Sequence, residues 1–295
     1  MSNNDSPKVC IIMPVYNGAS TIKFALASIL RQSHKNWICV IVNDGSTDET
    51  KNILDSIKDA RFHIYHLDKN RGRGYAREIA LSHSEGKYLT YLDADDMMHK
   101  DKIKQQIDYL EKYNDIWMVG CGYITFDNDF NALRSNRFSD FQSIDNMKYG
   151  QDLPLLPPTI MIRLEYAKKF CYNKYLDVGE DYDYFARYCE GHKFANIGNS
   201  YYYYRTGNVT PHKLIYYQFN SLKVVVVTWN MGLRVIAIYS FIKRCFKILA
   251  YFILIPILGT KKIINRRAGK PITSKLLLEY NDEFNSIYKI SKEIK

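Results

Sequence analysis

The sequence predicts an α/β fold with an open, mostly parallel sheet flanked by helices, followed by a C-terminal helical extension. Segments 9–16 and 37–42 are continuous apolar runs, which are typical of parallel strands covered on both faces. Between them, the apolar residues of segment 22–30 fall on one helical stripe. This strand, helix and strand together have roughly the length of a βαβ crossover.

The same alternation continues to about residue 115. Ser20 and Thr21 precede the first helix and are expected to cap it. The elements predicted next are a helix around 53–57, a strand over Phe62–Leu67, a helix over Tyr75–His83, a strand over Tyr88–Leu92 and a helix around 103–110. In an open sheet of this kind, ligands bind beyond the carboxyl ends of the strands.

Beyond residue 115 the pattern is less regular. Its predicted elements are strands over Trp117–Phe126, Thr159–Arg163 and Lys193–Arg205 and a helix over Glu180–Glu190. The stretch Asp127–Pro158 is rich in Asp, Asn, Ser and Pro, so we expect it to form loops over a site.

Composition narrows the possible partners and the compartment. The 295 residues carry a formal net charge of +10, which suits a nucleic acid, an anionic membrane or a phosphorylated substrate. Nucleic acid is disfavoured, because the basic residues concentrate beside an apolar tail and no recognition module is found. The six cysteines lack metal-ligand spacing and no signal peptide is evident, so we expect reduced thiols in a cytoplasmic protein.

The last third of the chain combines an apolar run with basic flanks. Residues 248–258 are apolar over 11 positions, fewer than the roughly 20 that a spanning helix needs, and Pro256 interrupts them. The flanking basic residues are Lys243, Arg244, Lys247, Lys261, Lys262, Arg266, Arg267 and Lys270. This pattern predicts that segment 243–270 lies on an anionic membrane, peripherally on the inner face of the cell membrane. The alternative is a core helix with a solvated basic surface.

Three carboxylates follow the predicted strand that ends at Leu92. Side chains two apart on a strand point the same way, so Asp93 and Asp95 are expected to present their oxygens on one side. Such hard ligands suit Mg²⁺ or Mn²⁺, which take one or two carboxylates and complete their shell with phosphates and water. The alternative is a solvated turn before a helix N-terminus, where Asp is common.

Polar clusters follow all four strands of the N-terminal half. They are Pro14–Gly18, Asn43–Asp48, Asn70–Arg77 and Asp93–Asp96. An aromatic ring near a carboxylate, a basic loop and a metal site are what a nucleoside diphosphate needs, because the ring stacks on the base while arginine and metal hold phosphates. The sequence therefore predicts a nucleotide-diphosphate site at this edge.

These motifs resemble those of the inverting family 2 glycosyltransferases, which have the glycosyltransferase A fold, a Rossmann-like nucleotide-diphospho-sugar transferase fold. The residues that carry the resemblance are Ile12–Asn17, Val42–Asp48, Asn70–Arg77, Asp93–Asp96 and Gly179–Asp183. Their order and spacing cover roughly residues 8–205. Each motif alone is a weak signal, whereas five in register are specific.

The resemblance implies a role for particular residues. Pro14 and Tyr16 would line the nucleobase pocket, and Asp44 would read the uracil edge. Asp93 would contact ribose or donor sugar, and Arg77 would lie on the donor side. The resemblance also implies Mn²⁺ or Mg²⁺ on Asp95, a UDP-sugar donor, and a glycan or lipid-linked glycan acceptor.

Transfer with inversion needs a base that takes the proton of the acceptor hydroxyl. Glu180 and Asp181 match the acidic pair of the family, and Asp181 is the predicted base. Glu180 is the adjacent alternative, and Asp183 is a third. The pair would also favour a helix N-terminus without any catalytic role.

One position departs from the family pattern, and the roles of two others stay open. Glu78 stands where the family often has Asn, which puts one donor contact in doubt. Arg205 and His212 lie where related enzymes close a loop over the diphosphate, and their roles stay open. No Gln-x-x-Arg-Trp motif follows the acidic pair, so processive polymer synthesis is not expected.

The predicted organisation is a catalytic domain followed by an extension. The domain would span 1–212, with a nucleotide-sugar-binding half at 8–115 and an acceptor-side half at 116–212. Residues 213–295 would form the helical, basic and apolar extension. We expect transfer of one sugar to a growing glycan, such as a lipid-linked surface polysaccharide; the alternative is a catalytically silent nucleotide-sugar-binding or membrane-associated protein on the same fold.

Overall fold

The apolar runs of the N-terminal half form a parallel sheet. A computed structural model of the chain describes residues 6–136, 141–142, 149, 155–176, 178–207, 210–259 and 269–294. The parallel strands are β1 (Val9–Val15), β2 (Trp37–Asn43), β3 (Phe62–His66) and β4 (Tyr88–Tyr91). Their spatial order is β3-β2-β1-β4, and every residue of β2 is buried. Burial on both faces explains why β1, β2 and β4 have no polar alternation. The edge strand β3 is only partly buried and carries His63 and His66.

Helices connect these strands and cover the sheet. They are α1 (Ile22–Leu30), α2 (Thr50–Asp55), α3 (Arg73–Ser82) and α4 (Lys102–Lys112). The predicted side-chain cap of α1 is wrong, because Thr21 precedes the helix but its hydroxyl donates to the Gly18 carbonyl at 3.3 Å. Thr21 occupies the N-cap position of α1, but its side chain accepts no hydrogen bond from a backbone N–H of the helix.

The second half of the sheet mixes directions. Its longer strands are β6 (Ile116–Phe126), β7 (Ala132–Asn136), β9 (Met161–Arg163) and β10 (Lys193–Arg205), and the two-residue strands are β5 (Met97–Met98), β8 (Phe141–Gln142) and β11 (Lys270–Pro271). Strand β9 pairs antiparallel with both β4 and β6, and β10 runs parallel to β6. This joins the two halves in one sheet and confirms the predicted open, mostly parallel α/β architecture.

Two α-helices are described between β9 and β10. They are the short α5 (Leu164–Ala167) and α6 (Glu180–Cys189). The predicted loops over 127–158 contain β7, while 137–140, 143–148 and 150–154 lie outside the described residues. Helix α6 begins at the acidic pair, as predicted.

The C-terminal part is helical, as predicted. Its helices are α7 (Pro211–Asn230), α8 (Arg234–Leu258) and α9 (Ser274–Ser291). The apolar run 248–258 forms the second half of α8, and Pro256 stands in its last turn. Among the helices of the described ranges, none has both the length and the apolar character needed to cross a membrane. Residues 260–268, which include four of the predicted basic flanking residues, lie outside the described part.

The last helix, α9, packs against the sheet. Leu276, Tyr280 and Ile287 of α9 are buried in one cluster with Phe126 and Tyr203 of the sheet. Helix α9 therefore packs into the predicted catalytic domain, although it follows the proposed boundary at residue 212. The boundary itself stays a prediction.

Candidate active site

The loops after β1 and β2 hold each other at the carboxyl edge of the sheet. The Asn17 backbone N–H donates to Ser46 Oγ at 2.9 Å, and Asn17 Oδ1 accepts from the Thr47 backbone N–H at 2.8 Å. Asn17 has a φ of 51°, a left-handed conformation that Asn adopts more readily than most residues. These bonds fix the backbone directly after Tyr16.

The predicted nucleobase residues lie at this fixed end of β1. Pro14 pairs with Val42 of β2, but the pairing of β1 with β4 ends at Ile12. The missing N–H of Pro14 therefore breaks no bond to β4. Tyr16 follows with 48% of its surface exposed, and an exposed ring on a fixed backbone suits stacking on a base. The roles of Pro14 and Tyr16 stay predictions.

Asp44 is buried at the end of β2 and holds the loop that follows β3. Its Oδ1 accepts from the Arg71 backbone N–H at 2.7 Å and its Oδ2 from the Gly72 N–H at 2.9 Å. Burial raises the pKa of Asp44 in spite of these bonds. Gly45 has a φ of 66°, and a Cβ there would lie 2.3 Å from the Lys69 carbonyl carbon. Each Asp44 oxygen keeps accepting capacity for the predicted contact with a uracil edge.

The carboxylates after β4 have different surroundings. Asp96 is buried, and it accepts from the Tyr202 hydroxyl at 2.8 Å and from the Arg205 backbone N–H at 2.7 Å. The Tyr202 hydroxyl also accepts from the Asp93 backbone N–H at 3.3 Å. Burial, followed by the charges of Asp95 and Asp93, raises the pKa of Asp96 well above its ordinary value. Asp96 therefore ties this turn to β10.

Asp93 and Asp95 are the carboxylates of the turn that solvent reaches. The side chain of Asp93 is 29% exposed, and Asp95 is exposed. Within the part of the chain that the structure describes, no three His, Cys, Asp or Glu side chains are arranged to hold a metal ion. Two hard carboxylates still fit an ion that completes its shell with substrate phosphates. The assignment of Asp95 to a metal stays a prediction.

Arg77 lies at the centre of a buried ion-pair cluster. Its Nη1 is 2.6 Å from Glu180 Oε1 and 2.5 Å from Asp181 Oδ1, and its Nη2 is 3.3 Å from Asp93 Oδ1. Arg73, one turn earlier on α3, lies 3.4 Å from the same Glu180 oxygen. Burial alone would lower the pKa of Arg77, but Asp181, Asp93 and Glu180 raise it well above its ordinary value. The predicted donor-side residue thus also contacts the acidic pair.

Exposure distinguishes the two acids of the pair. The Glu180 side chain is 1% exposed and the Asp181 side chain is 21% exposed. Burial raises the pKa of Asp181 to about 7; Arg77 opposes this shift, and the charges of Glu180 and Asp93 add to it. A reachable carboxylate that titrates near neutral pH suits a general base. This favours Asp181 over Glu180, although the assignment stays a prediction.

Asp183, the third candidate base, has structural partners at both oxygens. Its Oδ1 accepts from the Tyr149 hydroxyl at 3.0 Å, and its Oδ2 accepts from Arg187 Nη2 at 2.6 Å. The side chain of Asp183 is 2% exposed. These contacts fix α6 to its surroundings and make Asp183 the weakest of the three candidates.

Glu78 anchors the segment that leads to the acidic pair. Its Oε2 accepts from the Tyr172 backbone N–H at 2.7 Å. Gly74, also on α3, lies so close to this segment that a Cβ would be 3.0 Å from the Asn173 carbonyl oxygen. The departure from the family pattern at Glu78 thus has a structural role. Because Glu78 and Tyr172 are 94 positions apart, no local sequence signal reveals it.

The two residues whose roles were left open differ in position. Arg205 Nε donates to the Asp95 carbonyl oxygen at 2.9 Å, and its guanidinium lies over the rings of Phe126 and Phe130 at 4.7 and 4.5 Å. His212 is exposed in the first turn of α7. The structure therefore brings Arg205, but not His212, into contact with the carboxylate turn.

Two contributors to the site were not predicted. Tyr202 joins Asp93 and Asp96, and Arg73 pairs with Glu180. The only sequence signal for Tyr202 is its place within the run 201–204, where every residue is tyrosine, so the run does not single it out. The site as a whole combines an exposed ring, a carboxylate turn and a buried acid–arginine cluster at one sheet edge.

Comparison with known proteins decides the family. The sequence profile described as Glycosyl transferase family 2 matches residues 10–170, more than half of the 295-residue chain. The chain belongs to glycosyltransferase family 2. This confirms the resemblance found in the motifs.

Curated relatives of this family 2 chain match over part of their length. The putative teichuronic acid biosynthesis glycosyltransferase TuaG of Bacillus subtilis is 39% identical over 109 residues, which are 36% of this chain and 43% of TuaG. A glycosyltransferase of Rickettsia bellii is 31% identical over 175 residues, which are 59% of this chain and 25% of that protein. The chain thus matches less than half of the length of each of these relatives.

Solved structures support the fold. S. aureus TarS 1–349 is 18% identical with a TM-score of 0.60, covering 97% of this chain and 90% of that chain. TarS 1–349 in complex with UDP-GlcNAc is 20% identical with a TM-score of 0.58, covering 74% and 66%. The predicted glycosyltransferase A fold is therefore confirmed.

Proposed function

We propose that this family 2 protein is an inverting glycosyltransferase that moves one sugar from a UDP-sugar to a glycan acceptor. The observation that carries the proposal is the Arg77 cluster, which joins Asp93 of the carboxylate turn to the acidic pair. TarS has been crystallised with UDP and with UDP-GlcNAc, which supports a UDP-sugar as donor. Family membership supports the transferase chemistry.

The donor would lie across the carboxyl ends of β1, β2 and β4. Tyr16 and Pro14 would contact the base, Asp44 would accept from an N–H of uracil, and Asp93 would accept from ribose or donor sugar. Asp95 would hold Mn²⁺ or Mg²⁺, which when bound neutralises charge on a diphosphate leaving group. Arg77 keeps the Asp93 carboxylate oriented by direct ion pairing.

The acceptor would approach Asp181 from the other side of the sugar. Asp181 takes the proton of the acceptor hydroxyl while the hydroxyl oxygen bonds to the anomeric carbon. The bond from that carbon to the diphosphate oxygen breaks on the opposite face, so the configuration inverts. Glu180 shares Arg77 with Asp181; the negative charge of Glu180 raises the pKa of the base, whereas Arg77 lowers it.

The acceptor would be a growing surface glycan, lipid-linked at the inner face of the cell membrane. The description of TuaG as a teichuronic acid biosynthesis protein supports a surface polysaccharide. The basic and apolar segment 243–270 supports contact with an anionic membrane.

A donor screen tests the proposal. Purified protein is incubated with a panel of UDP-sugars and Mn²⁺ or Mg²⁺, and release of UDP is followed. We expect one UDP-sugar to release UDP, and we expect EDTA or Asp95→Asn to reduce the rate by about 10²-fold or more, because a bound metal supplies several kcal/mol of charge stabilisation. Lack of release from every donor, with correctly folded protein, would favour the catalytically silent alternative.

A further inference from the structure

Helix α8 leaves a stripe of large apolar side chains exposed. Val235, Phe246 and Ile257 are 81%, 68% and 70% exposed. Together with Ile242 and Ile253, which are also exposed, they recur at spacings of four and seven and so lie on one helix face. An apolar face of this length along the full helix is typical of a surface that binds a partner.

Helix α7 extends this surface beyond the segment considered from the sequence. Phe219, Val226 and Trp229 are exposed on α7. The two helices pack against each other as a hairpin, and Arg244 Nε of α8 donates to Ser221 Oγ of α7 at 3.1 Å. The α7–α8 hairpin, residues 211–258, therefore presents apolar side chains from both helices.

The charge of the hairpin identifies its partner. Residues 191–278 contain no aspartate or glutamate. The basic residues of the hairpin with described side chains are Lys223, Arg234, Lys243, Arg244 and Lys247. A second copy of the hairpin would bring like charges together, whereas an anionic bilayer offers both an apolar layer and opposite charge. The charge therefore favours a bilayer over a dimer.

The inner side of α7 contacts the helix that begins with the acidic pair. Val224 is buried, and its Cγ2 would lie 2.6 Å from a Cβ at Gly179, which has a φ of 88°. Gly179 directly precedes Glu180. Thr228, one turn further on, is buried and lies beside the Tyr149 hydroxyl, which donates to Asp183 of α6 at 3.0 Å. Side chains of α7 are thus close to α6 at Gly179 and, through Tyr149, at Asp183.

We propose that the α7–α8 hairpin binds an anionic bilayer and that α7 transmits this contact to the acidic pair, so that turnover is faster on a membrane. The inference rests on the proposed glycosyltransferase function. Bilayer binding holds α7 in the position seen in the structure, where Val224 packs against Gly179, and thereby fixes the start of α6. A membrane stimulates turnover only if it binds better to the form with α7 in place.

Vesicle flotation tests the surface. Full-length protein is mixed with vesicles of phosphatidylcholine containing phosphatidylglycerol, or of phosphatidylcholine alone. We expect binding to the anionic vesicles, weakened by salt, and about tenfold or more weaker binding for Phe246→Asp, because the loss of one buried aromatic side chain has this size. Leu278→Asp, an equally exposed position on α9, is the matched control and should bind as wild type. Equal binding by both variants, or a concentration-dependent dimer without vesicle binding, would overturn the proposal.

Release of UDP with and without vesicles tests the coupling. We expect anionic vesicles to stimulate wild-type release about fivefold or more, the lower end of typical coupling between sites. Val224→Ala and Thr228→Val should still float with the vesicles and lose this stimulation. Asn230→Ala, at an exposed polar position of the same helix, is the control and should keep it. Release that vesicles do not change in wild type, or stimulation that both inner variants keep, contradicts the coupling. If UDP is not released under any condition, the proposed function is contradicted instead. The flotation experiment still tests whether the α7–α8 hairpin binds a bilayer.

Discussion

Arg77 places one positive charge among three carboxylates and so influences how each of them acts. It contacts Glu180 and Asp181 through one nitrogen and Asp93 through another. Because these groups come from α3, α6 and the turn after β4, a single side chain fixes the position of Asp93 relative to Glu180 and Asp181. Its burial means that this charge is poorly screened by solvent.

The pKa of Asp181 leads to a pH dependence of catalysis. A general base acts in its ionised form, and burial raises the pKa of Asp181 to about 7. We therefore expect kcat/KM to fall about tenfold per pH unit below pH 7 and to level off above it. The measurement is a pH profile of UDP release at low donor concentration. Glu180→Gln should keep an acidic limb, and a flat wild-type profile from pH 5 to 8 would contradict the role of Asp181.

Arg77→Lys tests the geometry of the cluster. Lysine keeps the charge but offers no planar fork for three carboxylates, so kcat should fall by about 10²-fold while donor KM changes less. Lysine cannot contact all three carboxylates at once, so the variant should also be less stable than wild type to urea unfolding. Arg61→Lys, which alters the partly exposed pair with Asp59, is the control. Wild-type kcat in Arg77→Lys would show that the fork does not position the base.

Among the elements, α9 is attached to the predicted catalytic domain by a buried ion pair. Arg31, directly after α1, donates to Glu283 Oε2 from Nη1 at 2.9 Å and to Oε1 from Nη2 at 3.2 Å. The Lys100 backbone N–H adds a bond to the same carboxylate at 3.2 Å. Since Lys100 follows β5, directly beyond the carboxylate turn, α9 supports the segment that leads out of the site.

Glu283→Gln should loosen this attachment. Removal of one partner of a buried pair costs about 3 kcal/mol in the free energy of unfolding. Burial alone would raise the pKa of Glu283, but Arg31 and His99 hold it below its ordinary value. The pair therefore stabilises the protein fully above the ordinary glutamate pKa of about 4.3, and this stabilisation is lost as the pH falls through the folded-state pKa of Glu283. Urea unfolding at pH 7 and pH 3 measures both effects.

An exposed pair provides the control for this experiment. Asp108→Asn removes the exposed partner of Lys104 on α4 and should cost about 0.5 kcal/mol or less. Two results would contradict the attachment of α9 by this pair. One is an equal loss of unfolding free energy in Glu283→Gln and Asp108→Asn. The other is a difference in unfolding free energy between wild type and Glu283→Gln that is as large at pH 3 as at pH 7.

How far the sequence predicts these elements depends on the range of the interactions. The strands β1, β2 and β4 and the start of α6 are predicted well, because burial on both faces and an acidic first turn are local signals. The burial of α9 is not predicted, because it depends on the packing of Tyr280 on Phe126 and Tyr203. A local sequence pattern does not indicate which distant residues a helix contacts. In the site, the motifs predict which residues gather at the sheet edge, but not that Asp44 binds a backbone loop.

The whole molecule combines the predicted donor half and the predicted acceptor-side half in one sheet, and the apolar α7–α8 hairpin follows them. Asp93 comes from the first half and Asp181 from the second, and β9 joins the halves within one sheet. Helix α7 packs on Gly179 at the start of α6. Catalysis by this account therefore requires the complete assembly rather than either half alone.

The measurement that tests this account most directly is sugar transfer by Asp181→Asn, together with its donor binding. The account predicts that UDP release falls by about 10²–10⁴-fold, the usual contribution of a general base, while calorimetry shows donor affinity within about threefold of wild type. Glu180→Gln, measured in parallel, should retain more activity than Asp181→Asn. Near-normal turnover by Asp181→Asn would contradict the account.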